Sequence, residues 1–340
     1  MATLRSDVIV PEVFSAYVDE AVTTRSTFLN SGVIQPLEVL NASERDGGDY
    51  INIPFWTANL TGDAEVLTDS SSLIPGKITA AKQVAPVLHR GRAWEVRLLS
   101  TLASGDDPMA AIGNKVADYV EHQQQKDVFA ILKGIFGPLT SNTTGALKAL
   151  AVDSNGTPVS LNPGKIAEAR AALGDQGEKL TAIAMHSKQY YDLVERKAID
   201  YVTASEARQT PDASMPDAFG GSVQNAYAAD VNVPYYMGLR VIVSDDVNND
   251  GTNYASYLFT PGAMATGTQL GIVTETDRDI LALSDAMSIH WHNLYHPMGM
   301  SYTSGGVNPA RTVLETASNW TQVYETKNIG IVSIVSNPNF

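Results

Sequence analysis

The chain has 340 residues, 44% hydrophobic and 18% charged, with a formal net charge of −14 and no cysteine. That apolar content suits a folded chain with a large core rather than a disordered one, and the length allows one elaborated domain or two lobes. Disulfides and thiolate redox or metal chemistry are excluded, and the excess of acid argues against a grip on nucleic-acid phosphates.

The N-terminal MATLRSDVIVPEVF has too short an apolar run before Pro11 to resemble a signal peptide, and no stretch approaches the roughly 18 apolar residues of a membrane span. The lack of cysteine fits assembly in a reducing cytoplasm. Residues 1–45 read as an arm and a helix. Pro11 stands where a first helical residue would, Val13, Phe14, Tyr17, Val18, Ala21 and Val22 recur at helical spacing, and Ser31-Gly32 stops the pattern. So short an amphipathic helix needs a covering surface, either its own domain or a neighbouring subunit.

Residues 46–98 change character. After Gly47-Gly48, Ile51, Ile53 and Phe55 alternate with Tyr50, Asn52 and Pro54. A polar stretch from Thr57 to Gly76 follows, then strand-like runs beginning at Ile78 and Trp94. Two extended runs joined by a long polar tip describe a projecting hairpin, and such a hairpin is barely stable alone in water. Support from outside the subunit is the expectation.

The longest helix comes next. Asp107 is placed as its N-cap and Pro108 as its first residue, with Met109, Ile112, Val116, Tyr119, Val120, Ile131 and Ile135 along one broad face and Gly137-Pro138 as the stop. Gly113 and Gly134 weaken it locally, so tertiary packing must hold it. Further on, a helix runs from the Asn162-Pro163 cap to Gly174, Leu180 to Met185 reads as a strand, and Ser187 caps a helix carrying Tyr190, Tyr191, Leu193 and Val194. Residues 203–225 read as a surface loop. The remainder is β-rich, at Leu239–Val243, Tyr254–Thr260, Thr268–Thr274, Ala286–Tyr295 and Ile329–Val335.

Chemistry-bearing motifs are sparse. Asp246, Asn248 and Asp250, followed by Gly251, fit the first half of a calcium loop, but Tyr257 stands where the bidentate Glu should be and the flanks read as strands. An Asp/Asn/Gly turn between strands needs no metal. His290, His292 and His296 lie in HWHNLYH; the first two share a strand face, yet no adjacent carboxylate completes a site. His89-Arg90-Gly91-Arg92, with Arg97, is the one dense basic cluster, able to touch nucleic acid or to pair with acids of an adjacent subunit; its place at the foot of the hairpin favours the pairing. Gly76-Lys77-Ile78 and Gly164-Lys165-Ile166 lack the remainder of a phosphate loop, and neither GxGxxG nor GxSxG occurs. Catalytic and cofactor-binding residues are therefore assigned as none.

The arm PEVFSAYVDEAV, the hairpin on DYINIPFW, the long helix from Pro108 and the segment Tyr235–Gly299 follow one another in an order that resembles the major capsid proteins of tailed bacteriophages. The resemblance covers about 300 residues and rests on order, each motif being architectural. It implies an α+β capsid fold: arm and helix (1–45), extended loop (46–98), peripheral domain with a spine helix (99–235), axial domain (236–300) and a return to the peripheral domain (301–340). It implies a non-enzymatic shell subunit, assembled in the host bacterial cytoplasm, forming pentamers and hexamers of an icosahedral virion around double-stranded DNA without sequence-specific binding. No cofactor or membrane is implied. The arm begins almost at Met1, so any scaffold would be a separate protein, and portal and decoration proteins are further partners the resemblance allows. The expected intersubunit contacts are Phe14, Tyr17, Phe55, Trp56, Arg90 and Arg92. Lys77 and Lys82 are in or near the loop where some members form Lys–Asn crosslinks, but nothing identifies their partners. The rival with the same fold is an encapsulin-type compartment enclosing cargo enzymes; a soluble metal-dependent hydrolase is the remote alternative.

Overall fold

The computed structural model describes residues 31–40, 48–57, 64, 78–97, 108–139, 147–151, 159–202 and 233–338. The expected N-terminal helix, the Asp107 cap, nearly all of the hairpin tip and the 203–225 loop lie outside them.

Fifteen strands are present among the described residues: β1 (Ile34–Pro36), β2 (Tyr50–Trp56), β3 (Ala80–Pro86), β4 (Leu88–Arg97), β5 (Lys148–Leu150), β6 (Ala182–Met185), β7 (Asp200–Val202), β8 (Val233–Tyr236), β9 (Leu239–Val243), β10 (Tyr254–Phe259), β11 (Met264–Asp279), β12 (Ser284–Pro297), β13 (Met300–Tyr302), β14 (Trp320–Gln322) and β15 (Ile331–Ser336). They form a seven-stranded sheet ordered β5-β15-β10-β6-β9-β8-β7, a four-stranded sheet ordered β1-β11-β12-β4, and two pairs, β13-β14 and β2-β3.

The seven-stranded sheet is mixed, with β6 parallel to β9, β5 parallel to β15 and the other neighbours antiparallel. Its centre is built from short runs buried throughout, AIAM, YASYLF and IVSIVS. Continuous burial of that kind marks strands covered on both faces. The four-stranded sheet is a long ribbon in which β11 and β12 pair from Met264↔Pro297 to Asp279↔Ser284, with bulges near Leu270, while β4 pairs along the far side of β12. The expected grouping of 236–300 as one unit does not follow these sheets. Strands β9 and β10 belong with 148–202 and β15, whereas β11 and β12 belong with β4. A buried, alternating β-region gives no sequence mark of which sheet a strand joins.

The long helix Pro108–Phe136 has 29 residues, about 43 Å at 1.5 Å each, and serves both sheets. Near its start, Val116, Ala117 and Val120 pack with Met287, Ile289 and Trp291 of the ribbon. In its second half, Val128, Phe129, Ile131, Leu132, Ile135 and Phe136 enter the main core beside the seven-stranded sheet, where Phe136 and Tyr257 have ring centroids 5.6 Å apart. Gly137, at φ +62°, stops it, and the buried ammonium of Lys148 donates to the Phe136 carbonyl at 3.2 Å and to that of Pro138. A cation there satisfies terminal carbonyls and the helix dipole, and burial lowers its pKa to about 8.

Two local expectations need revision. The helix Ser187–Glu195 is capped by His186, whose Nδ1 accepts from the Lys188 N–H at 3.1 Å; Ser187 is its first residue. Gly134 is a packing residue rather than a weak point. A Cβ there would sit 1.9 Å from the Leu314 carbonyl oxygen and 2.6 Å from Trp320 Nε1. Those two atoms hydrogen-bond to each other at 2.8 Å, so neither moves freely. Gly134→Ala should therefore destabilise the subunit by roughly 1–3 kcal/mol despite alanine's better helix propensity, read as a shift in the chemical-denaturation midpoint.

Candidate assembly surfaces

The hairpin exists, in its described part, as an antiparallel pair running from Tyr50↔Pro86 to Trp56↔Ala80. Its alternation sorts the side chains. Ile53 and Gln83 are buried against the body, while Asn52, Pro54, Trp56, Ala80 and Lys82 face out. Ile53, Ala85 and Val87 pack with Leu40, Ala265 and Leu294. The Phe55 ring meets Tyr324 edge-on at 4.8 Å, and the Tyr50 hydroxyl donates to the Ser304 carbonyl at 3.3 Å and to that of Gly306. The described part of the hairpin thus has a foot on its own subunit. The expected support from outside the subunit concerns what remains, the outward face left uncovered by the described residues.

A buried polar link fixes the foot. The Gly299 N–H donates to Gln83 Oε1 at 2.9 Å, which orients that amide. His296 Nε2, also 2.9 Å from Gln83 Oε1, must then be the donor, leaving Nδ1 bare. His296 Nδ1 and Gln83 Nε2 are buried without a partner. Burial drives the His296 imidazole down to about 4, so it stays neutral.

Of the expected basic contacts, Arg90 is engaged inside the subunit. Its Nε lies 3.4 Å from Asp127 Oδ2, and its terminal nitrogens donate to Asn308 Oδ1 and the Pro309 carbonyl, both at 2.9 Å. Arg311 Nε completes the clamp at 2.6 Å from Asp127 Oδ1, and Arg311 Nη2 reaches Gln123 Oε1 at 2.7 Å. Asp127 is buried, and the clamp ties the long helix to β4 and to the 308–311 segment. The intersubunit pairing expected of Arg90 is accordingly replaced by this internal one. Arg92, two residues along the same strand, is exposed. Trp56 is 67% exposed and Phe55 half-buried; Phe14 and Tyr17 lie outside the described residues.

The calcium candidates do not converge. Asp246 Oδ2 accepts from Gln125 Nε2 at 2.8 Å and lies 3.3 Å from His122 Nδ1, so it faces the long helix. Asp250 instead closes its own turn, accepting from the Thr252 and Asn253 N–H groups at 2.9 and 2.6 Å. Asn248 accepts at its backbone carbonyl from the Ala255 N–H. His292 is stacked on His89 across the β4–β12 seam, centroids 3.9 Å apart and 13° from parallel, with His290 6.4 Å away. Among the described residues no group of three or more His, Cys, Asp or Glu is placed to hold a metal ion.

Sequence reasoning missed the turn between β11 and β12. Ile280, Leu281 and Leu283 are 78%, 98% and 54% exposed there. The available signal was an Asp at 279 followed by aliphatics, where a hairpin turn is ordinarily polar.

The chain is 35% identical over 340 residues to the major capsid protein of Bacillus phage SPP1, spanning 96% of each sequence. It belongs to the major capsid protein family of tailed bacteriophages. No protein-family model matches. The fold is similar to the capsid of Ralstonia phage GP4, with TM-score 0.57, 9% identity and coverage of 91% of this chain and 88% of that one. It is also similar to the Cyanophage Pam1 capsid asymmetric unit, with TM-score 0.55, 13% identity and coverage of 92% and 93%. This capsid subunit is thus a structural building block of the virion shell, which contains many copies, and the encapsulin alternative is not favoured.

Two measurements probe the internal links. Asp127→Ala leaves two guanidinium groups facing a gap and should cost about 3 kcal/mol of subunit stability, at the low end for a broken buried pair because both arginines are partly exposed. Acid should act through His296. Its unfolded pKa is near 6.5, so as pH falls from 6.5 toward 4 the unfolded chain binds a proton that the folded chain refuses, and stability declines by roughly 2 kcal/mol by pH 5. His292, held below its ordinary value by burial and by His89 and His290, adds in the same direction. Denaturation of the unassembled subunit at pH 7 and 5 should show the loss, and His296→Gln, which keeps a donor for Gln83, should lessen it.

Proposed function

We propose that this subunit closes an icosahedral shell of pentamers and hexamers around double-stranded DNA, holding the genome without sequence-specific binding. Whole-length similarity to a phage major capsid protein is the observation that carries the reading. The net charge of −14 supports a container that does not adhere to phosphate. In this reading the seven-stranded sheet belongs to the axial region around the symmetry centres, and the ribbon with the first half of the long helix to the periphery. Contacts with neighbours are assigned to Phe14 and Tyr17 of the arm, to Trp56 and the free edge of Phe55 on the hairpin, and to Arg92. Each contact can be modest, since a closed shell repeats it around every subunit. In this reading the protein works without catalysis or cofactor.

Electron microscopy of purified particles, with mass, diameter and nucleic-acid content, tests this. Large empty or DNA-filled shells are expected, whereas a small particle enclosing a protein cargo would move the assignment to a storage compartment. Arg92→Ala should leave subunit stability within about 0.5 kcal/mol, as for a surface position, while lowering the assembled fraction. Unchanged assembly would take Arg92 out of the interface.

A further inference from the structure

We propose that the joint between β12 and the strands β3 and β4 is an acid-sensitive latch: neutral imidazoles at two places hold β3 and β4 against β12, and protonation of those imidazoles releases both strands.

Four of the chain's six histidines stand at this joint. His290, His292 and His296 lie along β12, and His89 of β4 is the register partner of His292. Strands β3 and β4 are consecutive, with only Val87 between them, so both contacts bear on one length of chain.

At the first place the closed joint has no room for a second ring proton. His296 is buried and spends its Nε2–H on Gln83, leaving Nδ1 buried without a partner. A proton on Nδ1 would be a buried charge with no acceptor. The groups set against the ring are Gln83 of β3, the Gly299 N–H and Ala265, its register partner on β11, and none is charged. Burial alone pushes the imidazole down to about 4.

At the second place the charges would meet one another. The His89 and His292 rings are stacked 3.9 Å apart and 13° from parallel, with His290 6.4 Å from His292. His89 Nε2 is buried without a partner. Two imidazolium rings at that spacing repel. Opposite them on β11 stand Leu270 and Val273, and the first carboxylate of that strand, exposed Glu275, pairs with Ser288 beyond His290. On β4, Arg90 turns to Asp127, Arg92 is exposed opposite Ile289, and Glu95 is exposed opposite Ala286. The 308–311 segment meets His89 through uncharged Asn308 and sends Arg311 to Asp127. Burial, His89 and His290 together hold the proton off His292.

Opening restores ordinary imidazoles near 6.5, so the closed joint is fully favoured above that pH and loses ground as pH falls below it. From pH 7 to pH 5, His296 alone raises the opening constant roughly 20-fold, and His292 adds in the same direction. Arg90 holds β4 to the long helix from the other face through Asp127, so the seam parts without unfolding the subunit.

Hydrogen exchange of the unassembled subunit at pH 7 and pH 5, corrected for the intrinsic rate, tests the latch. Opening within residues 80–97 and 284–299 should rise about 20-fold or more, while residues 254–259 and 331–336 of the seven-stranded sheet keep their protection over the same labelling time. The triple variant His89→Phe, His292→Phe, His296→Gln keeps a stacked pair and a donor for Gln83 but takes up no proton, and should hold the rise below about threefold. A rise that persists in the triple variant, no rise in the natural chain, or loss of protection in both sheets together would overturn the latch. Should the triple variant not fold, His296→Gln alone should cut the rise at least about fivefold, and an unchanged rise refutes the role of His296. The subunit is unassembled throughout, so either result leaves the shell reading untouched.

Discussion

One helix has to satisfy two sheets, and the rest of the molecule is arranged around that requirement. Residues 116–120 face the long ribbon and residues 128–136 face the core of the seven-stranded sheet. A single amphipathic stripe sufficient for one sheet would leave the other uncovered, so the helix is apolar toward different partners along its length. The two halves meet near Asp127, whose buried carboxylate receives Arg90 from the ribbon and Arg311 from the segment after β13. Such a clamp adds little net stability compared with an apolar replacement, but it admits one relative placement of helix and strand. Precision matters more here than energy, because a small rotation of the ribbon would displace its distant turn by many ångströms.

Much of this was readable in the chain. The long helix, its proline start and its Gly137 stop follow from periodicity and end signals, and the hairpin follows from the alternation in YINIPFW. Periodicity is a local property, and so the local elements emerge from it. What it could not give is partnership. The cluster His89-Arg90-Gly91-Arg92 reads as a basic patch open to a neighbour, yet it lies within β4, where alternation sends Arg90 toward the helix and His89 onto the opposite face. Asp127 sits among Gln and Lys residues and reads as solvated until two arginines arrive from 37 residues upstream and 184 downstream in sequence. The division of β9–β12 between two sheets was hidden for the same reason.

The expected assembly residues separate along physical lines. Arg90 is consumed by its own fold, Phe55 is shared between Tyr324 and solvent, and Trp56 and Arg92 remain outward. Residue type alone does not decide such roles; on the hairpin, parity along the strand does. On β2 the odd positions Ile53 and Phe55 turn inward, and the even positions Asn52, Pro54 and Trp56 turn outward. A one-residue slip of the β2–β3 register would reverse every one of these roles.

That makes Gln83 and His296 more consequential than their surroundings suggest. They are buried polar groups at the junction of hairpin and ribbon, each with one atom left unpartnered, in a place where aliphatic side chains would pack at lower cost. Aliphatic packing, however, tolerates sliding. The amide oxygen of Gln83 accepts from both the His296 ring and the Gly299 N–H, and only one register of β3 against the end of β12 allows both bonds. That restriction keeps the outward face of the hairpin, with Asn52, Pro54 and Trp56, turned away from the body. The energetic cost of a buried neutral imidazole is then the cost of holding hairpin and ribbon in fixed relation.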